Sequence, residues 1–128
     1  MQGQPLPLRT YNGHYVNADS DFSGSIDAYS TQAGTWETFH AIMLPDGKWA
    51  LRTVDGKYFS GSSNGTLTAT VPWISTDERW AIHHVANDDT FAFQSAHGKY
   101  MVAAGAGGGA VNANRTAIGP WEQFQVYD

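Results

Sequence analysis

The stretch LRTVDGKYFS at residues 51–60 decides the fold, because related versions of it occur twice more along the chain. LRTYNGHYVN stands at residues 8–17, and FQSAHGKYMV stands at residues 93–102. The glycines shared by the three copies are Gly13, Gly56 and Gly98, which are 43 and 42 residues apart. A nearly constant period in this range predicts a fold built from repeated structural units.

Each copy of this stretch predicts two short strands joined by a tight turn. Asn12-Gly13 and Asp55-Gly56 are pairs that two-residue type I′ turns favour, because both central residues need a positive φ. The third copy has His97-Gly98 at the same place. Apolar residues alternate on either side of the turn, which predicts one buried face per hairpin. The predicted buried residues are Leu8, Val16, Leu51, Phe59, Phe93 and Met101.

A further strand closes each predicted unit. In the first unit it begins at Trp36, and Phe39 is its inward residue. Leu8 to Phe39, Leu51 to Ile82 and Phe93 to Phe124 each span 31 residues. Three units of four strands predict an all-β domain, the β-trefoil, in which three pseudo-symmetric four-strand repeats close a barrel with a hairpin cap. We expect one domain over residues 1–128, with repeats at approximately 8–50, 51–92 and 93–128.

Composition and charge narrow the possible partners. The 128 residues include no cysteine, 7 Lys plus Arg, and 12 Asp plus Glu, for a net charge of −5. We therefore expect no nucleic-acid partner, since a polyanion would be repelled. No apolar run is long enough for a membrane span, and the first residues do not resemble a signal peptide. The expectation is a soluble chain, either cytoplasmic or secreted as part of a larger protein.

The motifs resemble a known branch of β-trefoils. The pattern Leu-x-x-x-x-Gly-Lys-Tyr-apolar-Ser, closed by Trp-Glu-x-Phe, is similar to the fascin and hisactophilin branch. Residues 112–124, NANRTAIGPWEQF, further resemble the fascin-like modules of microbial carbohydrate-active enzymes, including the β-glucan-binding family 92 carbohydrate-binding modules. The resemblance implies non-catalytic, multivalent binding of a neutral glucan polysaccharide or oligosaccharide. It also implies a monomer without cofactors, either free-standing or attached to a carbohydrate-active enzyme.

Two Trp-Glu pairs are the candidate carbohydrate-binding residues. Trp36-Glu37 and Trp121-Glu122 stand at equivalent points of the first and third units. An indole offers a flat apolar face to a pyranose, and a carboxylate accepts hydrogen bonds from neighbouring hydroxyls. At the fixed 31-residue spacing, the middle unit has Arg79-Trp80 at this place. Its substitute pair is Trp73 with Glu78, on a longer loop.

Other interpretations of these residues stay open. Each Trp can pack across the barrel mouth and each Glu can cap backbone amides of the preceding loop, which would make both structural. The fascin and hisactophilin resemblance also implies an alternative function, actin binding or bundling, which would need exposed cations that this chain largely lacks. Trp73 can simply cover the apolar edge beside Pro72.

Catalysis and metal binding have little support in the sequence. Glycoside hydrolysis needs two carboxylates facing one bond, whereas pseudo-symmetry distributes the acids among the three units. We expect no enzyme activity. His83 and His84 are adjacent on a predicted strand and point to opposite faces, so they cannot chelate one ion together. We expect surface histidines and no metal site.

Overall fold

The computed structural model of the chain describes residues 5–10, 13–17, 26–30, 34, 37–54, 56–86, 90–103 and 111–126. Within them lie strands β1 to β12 and two 3₁₀ turns. The strands are β1 (Pro5–Arg9), β2 (Tyr15–Asn17), β3 (Asp27–Ser30), β4 (Thr38–Met43), β5 (Trp49–Arg52), β6 (Tyr58–Gly61), β7 (Leu67–Val71), β8 (Ala81–Ala86), β9 (Thr90–Gln94), β10 (Tyr100–Ala103), β11 (Val111–Arg115) and β12 (Phe124–Val126). The 3₁₀ turns are Thr76–Glu78 and Pro120–Glu122. None of the helical segments in this part of the chain is long and apolar enough to cross a membrane.

Three backbone pairs show the threefold arrangement of the sheet. Strand β1 pairs with β4 at Leu6–Phe39, β5 meets β8 at Trp49–Trp80, and β9 pairs with β12 at Phe91–Phe124. Pairing of β4 with β5, β8 with β9 and β12 with β1 joins the units. The hairpins β2–β3, β6–β7 and β10–β11 complete them. This is the β-trefoil that the repeat predicts.

The junction of β5 with β8 differs from the closed barrel that we expected. The continuous strand pairing is interrupted there, and the sheet does not close as one ladder. In its place, Trp49 and Trp80 exchange two backbone hydrogen bonds of 2.8 Å. An isolated bridge therefore stands where the other two units have a strand pair.

The core lies among the barrel strands and the hairpins. All six apolar residues predicted from the repeated stretch are buried, at most 2% exposed, which confirms the predicted inward face of each hairpin. Phe39 in β4 and Phe124 in β12 are buried, and Trp80, directly before β8, is buried at the equivalent position. Three further alanines at equivalent positions, one on the last strand of each hairpin, also join the core. They are Ala28, Ala69 and Ala113.

The turns of the three repeated hairpins are not the predicted two-residue type I′ turns. In the third copy, Gly98 N donates to Ser95 O at 3.0 Å and Ser95 N donates to Lys99 O at 2.7 Å. Both bonds recur in the other two copies. The glycine is therefore the last residue of a four-residue turn, in a three-residue loop where only the glycine needs a positive φ. Its φ is 77°, and no such conformation is required of His97 in a loop of this kind.

The distance in sequence from Leu51 to the closing aromatic residue Trp80 is two residues shorter than the fixed 31-residue spacing predicts. Trp80, which is fully buried, pairs as Phe39 and Phe124 do. Ile82, the expected equivalent, is only partly buried and packs at the edge of the core. The prediction that Arg79-Trp80 replaces the Trp-Glu pair is therefore wrong. The dipeptide at that place is Asp77-Glu78.

Candidate functional site

Three buried glutamates mark equivalent points of the three units. Glu37, Glu78 and Glu122 are 7%, 3% and 6% exposed. Each accepts a hydrogen bond at Oε1 from the backbone N–H three residues earlier. The donors are Gly34 at 2.8 Å, Ser75 at 2.7 Å and Gly119 at 2.6 Å. In return, each glutamate N–H donates to the carbonyl oxygen of the same residue.

The bond to the carboxylate is the glutamate half of a capping box, and the returning backbone bond closes a short turn before the strand begins. Pro120–Glu122 and Thr76–Glu78 are accordingly 3₁₀ turns, and the strands start after them. The prediction that the closing strand begins at the tryptophan, as stated for Trp36, is therefore wrong: β4 begins at Thr38, and β12 begins at Phe124. The spacings Gly34-x-x-Glu37, Ser75-x-x-Glu78 and Gly119-x-x-Glu122 are visible in the sequence, and they would have revealed both the turns and the shorter middle unit.

The second carboxylate oxygen distinguishes the third unit from the other two. Asn17 Nδ2 donates to Glu37 Oε2, and Ser60 Oγ donates to Glu78 Oε2. The equivalent residue of the third unit is Val102, which is buried and has no donor side chain. Within the described residues, the carboxylate of Glu122 has only its bond from Gly119. The other oxygen of this buried carboxylate accepts no hydrogen bond from the residues that the structure describes, so it can still accept one from a hydroxyl.

Trp121 stands directly before this carboxylate and is 41% exposed. Pro120 precedes it at the start of the turn, where a fixed φ suits the backbone. The guanidinium carbon of Arg115 lies 5.9 Å from the centroid of the indole ring. A cation over one face of an indole is attracted by the ring's negative potential. Arg115, which the sequence did not single out, therefore helps to orient the ring.

In the first and middle units, the predicted tryptophan and glutamate do not form a site like that of the third unit in the described structure. Trp36 lies outside the described residues, so the structure gives only Glu37 of the first pair. Trp73 is 59% exposed, on the segment between β7 and the Thr76–Glu78 turn. Glu78 is buried and accepts bonds from the backbone and hydroxyl of Ser75 as well as from Ser60. Trp73 is thus available to a ligand, while the carboxylate of Glu78 is already engaged.

The middle unit presents charge where the other units have tryptophan. Asp77 precedes Glu78 as Trp121 precedes Glu122. Its Oδ1 lies 2.8 Å from Nε2 of His97, on the turn after β9. Among the residues that the structure describes, no group of three or more His, Cys, Asp or Glu is arranged to hold a metal ion.

Comparison with solved structures shows the fold. ThreeFoil, a designed threefold-symmetric protein, has a TM-score of 0.83 and 17% identity, covering 97% of this chain and 98% of its own. SeviL bound to asialo-GM1 saccharide has a TM-score of 0.83 and 11% identity, covering 100% and 98%. The Macrolepiota procera ricin B-like lectin in complex with lactose has a TM-score of 0.76 and 17% identity, covering 98% and 96%.

Sequence comparison gives the family. No curated protein matches the chain. The family model described as the fascin domain matches residues 1–82, which is more than half of the sequence. On this match the chain belongs to the fascin domain family.

Proposed function

We propose that this chain is a non-catalytic carbohydrate-binding domain that recognises a neutral glucan such as a β-glucan. One observation carries the proposal: Trp121 is exposed and directly precedes Glu122, a largely buried residue whose second carboxylate oxygen has no donor within the described residues. A flat apolar ring and an acceptor for hydroxyl protons are the two contacts that a neutral pyranose needs. In the first unit, Trp36 would supply the stacking ring, while Glu37 already accepts bonds from Gly34 and Asn17.

The ring of Trp121 is suited to stacking because the nearby guanidinium of Arg115 favours one orientation of the ring. Arg115 lies near one face, which leaves the other for the C–H face of a sugar. Stacking against a ring that is already oriented costs less conformational entropy than stacking against a mobile one. We therefore assign the main apolar contact to Trp121.

The three units are expected to contribute unequally. The second oxygens of Glu37 and Glu78 accept bonds from Asn17 and Ser60, so a ligand hydroxyl would compete with a protein donor there. In the middle unit, Trp73 would supply stacking, and Glu78 would hold the loop that follows it. The third unit is accordingly the strongest of the three sites.

The comparisons support the ligand class without identifying the glycan. Two structures of the same fold, SeviL and the Macrolepiota procera lectin, are described with bound saccharides. The chain's net charge of −5 and its 7 Lys plus Arg favour a neutral partner over a polyanion. The resemblance to fascin-like modules of carbohydrate-active enzymes adds β-glucan as the specific candidate.

Several weak sites on one domain favour a polymer over a short oligosaccharide. Linked sites raise apparent affinity by roughly a hundredfold or more when they bind the same chain together. We therefore expect retention on an insoluble β-glucan to exceed the affinity for a short oligosaccharide of the same linkage. Equal affinity for the two would contradict multivalent binding.

A pull-down on insoluble β-glucan tests the assignment of residues. Trp121→Ala should weaken binding about tenfold or more, since it removes both stacked area and the oriented ring. Glu122→Gln keeps an acceptor for the Gly119 N–H and should weaken binding less. Val54→Ala, at another exposed apolar residue, is the matched control and should bind as the parent chain does. If Trp121→Ala folds and binds normally, the third-unit site is wrong.

Actin binding is tested beside it by co-sedimentation with actin filaments. All seven Lys and Arg residues are described by the structure, and they are distributed over the three units. Arg79 pairs with Asp46, and Arg9 donates to Gln125. Actin is acidic, so bundling would need a cluster of exposed cations. We expect no co-sedimentation, and filament bundling without glucan retention would replace the carbohydrate proposal.

A further inference from the structure

A surface cavity of about 310 Å³ lies where the turn between β4 and β5 meets the paired strands β8 and β9. Three segments contribute to it: the turn between β4 and β5, the residues at the start of β8, and the end of β9 with its following turn. The lining includes Asp46, Lys48, Arg79, Ala81, Gln94 and Ser95. Its volume is at the lower end of the range for small-molecule sites, roughly 300–1,000 Å³.

The cavity arises from one small residue at this junction. The equivalent cross-strand pairs at the three junctions are His40–Arg52, Ala81–Gln94 and Gln125–Arg9. At the third, Arg9 Nη1 donates to Gln125 Oε1 at 3.0 Å and spans the space between the strands. The methyl side chain of Ala81 is too short to span the equivalent space between β8 and β9. Gln94 Oε1 instead lies 2.9 Å from Nε2 of His83 on the neighbouring strand, so the space stays open.

The charges around the cavity leave one cation without a partner. Asp46 Oδ2 lies 2.8 Å from Arg79 Nη1, and Asp46 Oδ1 accepts from the Lys48 backbone N–H at 3.0 Å. These contacts, with the Lys48 N–H first and Arg79 also contributing, hold the pKa of Asp46 below its ordinary value. Asp46 therefore stays ionised and neutralises Arg79. In the described part of the chain, the ammonium group of Lys48 has no acceptor, so the cavity carries a local charge of about +1.

We propose that this cavity binds a small hydroxylated carboxylate, the chemical class of the sugar acids. The ligand carboxylate would lie against Lys48 and the outer edge of Arg79. Its hydroxyls would donate to Asp46, whose oxygens each retain a free acceptor position. A dianion such as phosphate is disfavoured because the local charge of about +1 balances only a single negative charge. The site is separate from Trp121 and does not rest on the neutral-glucan proposal.

Titration of the full chain with sodium D-glucuronate, followed by amide chemical shifts, tests the proposal. Shifts should centre on the turn between β4 and β5 and on the turn after β9. D-glucose, which lacks the carboxylate, and acetate, which lacks the hydroxyls, should each bind at least about tenfold more weakly. Inorganic phosphate should also bind more weakly. Equal binding of any of these three compounds would overturn the proposal.

Variants then locate the site. Lys48→Gln should weaken glucuronate binding about three- to tenfold, since it removes the unpaired cation. Lys57→Gln makes the same charge change on another turn and should leave binding unchanged. Ala81→His copies His40 of the first unit and should abolish binding by filling the cavity. If Ala81→His does not fold, Lys48→Gln decides: an unchanged affinity refutes the site.

The same titration distinguishes two sources of the ligand. Methyl β-D-glucuronoside has a blocked anomeric oxygen, as a sugar acid at the end of a glycan does. If it binds as well as glucuronate, the site accepts the terminus of an acidic glycan. If only the free acid binds, the site takes a free sugar acid. Both results support the proposal, whereas the absence of binding by either compound overturns it.

Discussion

Replacement of Trp80 by phenylalanine should destabilise the protein by about 2–4 kcal/mol, although phenylalanine occupies the equivalent position in both other units. The indole Nε1 donates to Phe59 O at 3.0 Å in a buried setting. Loss of this donor removes a buried hydrogen bond, which costs about 1–2 kcal/mol. The smaller ring leaves a cavity in the core, which costs about as much again.

Gly61 explains why the middle unit accommodates the larger ring. A Cβ at Gly61 would lie 3.0 Å from Cη2 of Trp80 and 2.9 Å from Cβ of Ser95. The equivalent residue of the third unit is Ala103, where the closing strand carries Phe124. The middle unit thus pairs the larger ring of Trp80 with Gly61, and the third unit pairs the smaller ring of Phe124 with Ala103. Gly61→Ala alone should destabilise the protein, because Trp80 has no room to move.

A double-mutant cycle measures this complementarity. The variants are Trp80→Phe, Gly61→Ala and the two together, compared by denaturant unfolding with an unchanged m value. The double variant should be more stable than the sum of the single effects predicts, by about 1 kcal/mol. Additive effects, or a cost below about 1 kcal/mol for Trp80→Phe, would refute the equivalence of Trp80 with Phe39 and Phe124. The assignment of Asp77-Glu78 as the middle unit's equivalent of the Trp-Glu pairs would then also be wrong.

Two further predictions concern stability. Gly65→Ala should lower the free energy of unfolding by about 2–3 kcal/mol, because φ is +89° and the added Cβ would overlap Cβ of Asn114. Gly47→Ala, at φ +84° with nothing within 4 Å of the added Cβ, should lower it by only about 1 kcal/mol. Thermal unfolding measures both. The lowered pKa of Asp46 in the folded protein means that its contribution to stability is present above its ordinary value of 3.8 and is lost as the pH falls through the folded value. Asp46→Asn should therefore lower the unfolding midpoint at pH 6 more than at pH 3, and an equal effect at both would contradict the Arg79 contact.

The sequence was sufficient for the fold because the repeated features are local. Alternation of apolar residues around Gly13, Gly56 and Gly98 predicts which face of each hairpin is buried, and all six predicted residues are buried. The predicted turn type was wrong because Asn-Gly and Asp-Gly pairs also suit a three-residue loop, in which the glycine is the last residue of the turn. The two kinds of loop differ in which backbone groups of the flanking strands are hydrogen-bonded, and the residue types alone do not determine this.

The site was less predictable because its differences arise from tertiary contacts. A strict 31-residue spacing placed Ile82 at the core position, and only the pairing of Trp80 with Trp49 reveals the shorter middle unit. The position of Trp121 before a buried Glu122 was predictable from the repeat. The free oxygen of Glu122 was not, since it depends on Val102 standing where the other units carry Asn17 and Ser60.

The single bridge between β5 and β8 has a consequence for how this protein folds. Because the ladder is interrupted there, its continuity passes through the pairing of β1 with β12. Arg9 and Gln125, which pair across that junction, are 116 residues apart in sequence. Closing so long a loop is entropically costly and slows folding, as in other β-proteins dominated by distant contacts. During synthesis, therefore, the ladder can form completely only after β12 has left the ribosome.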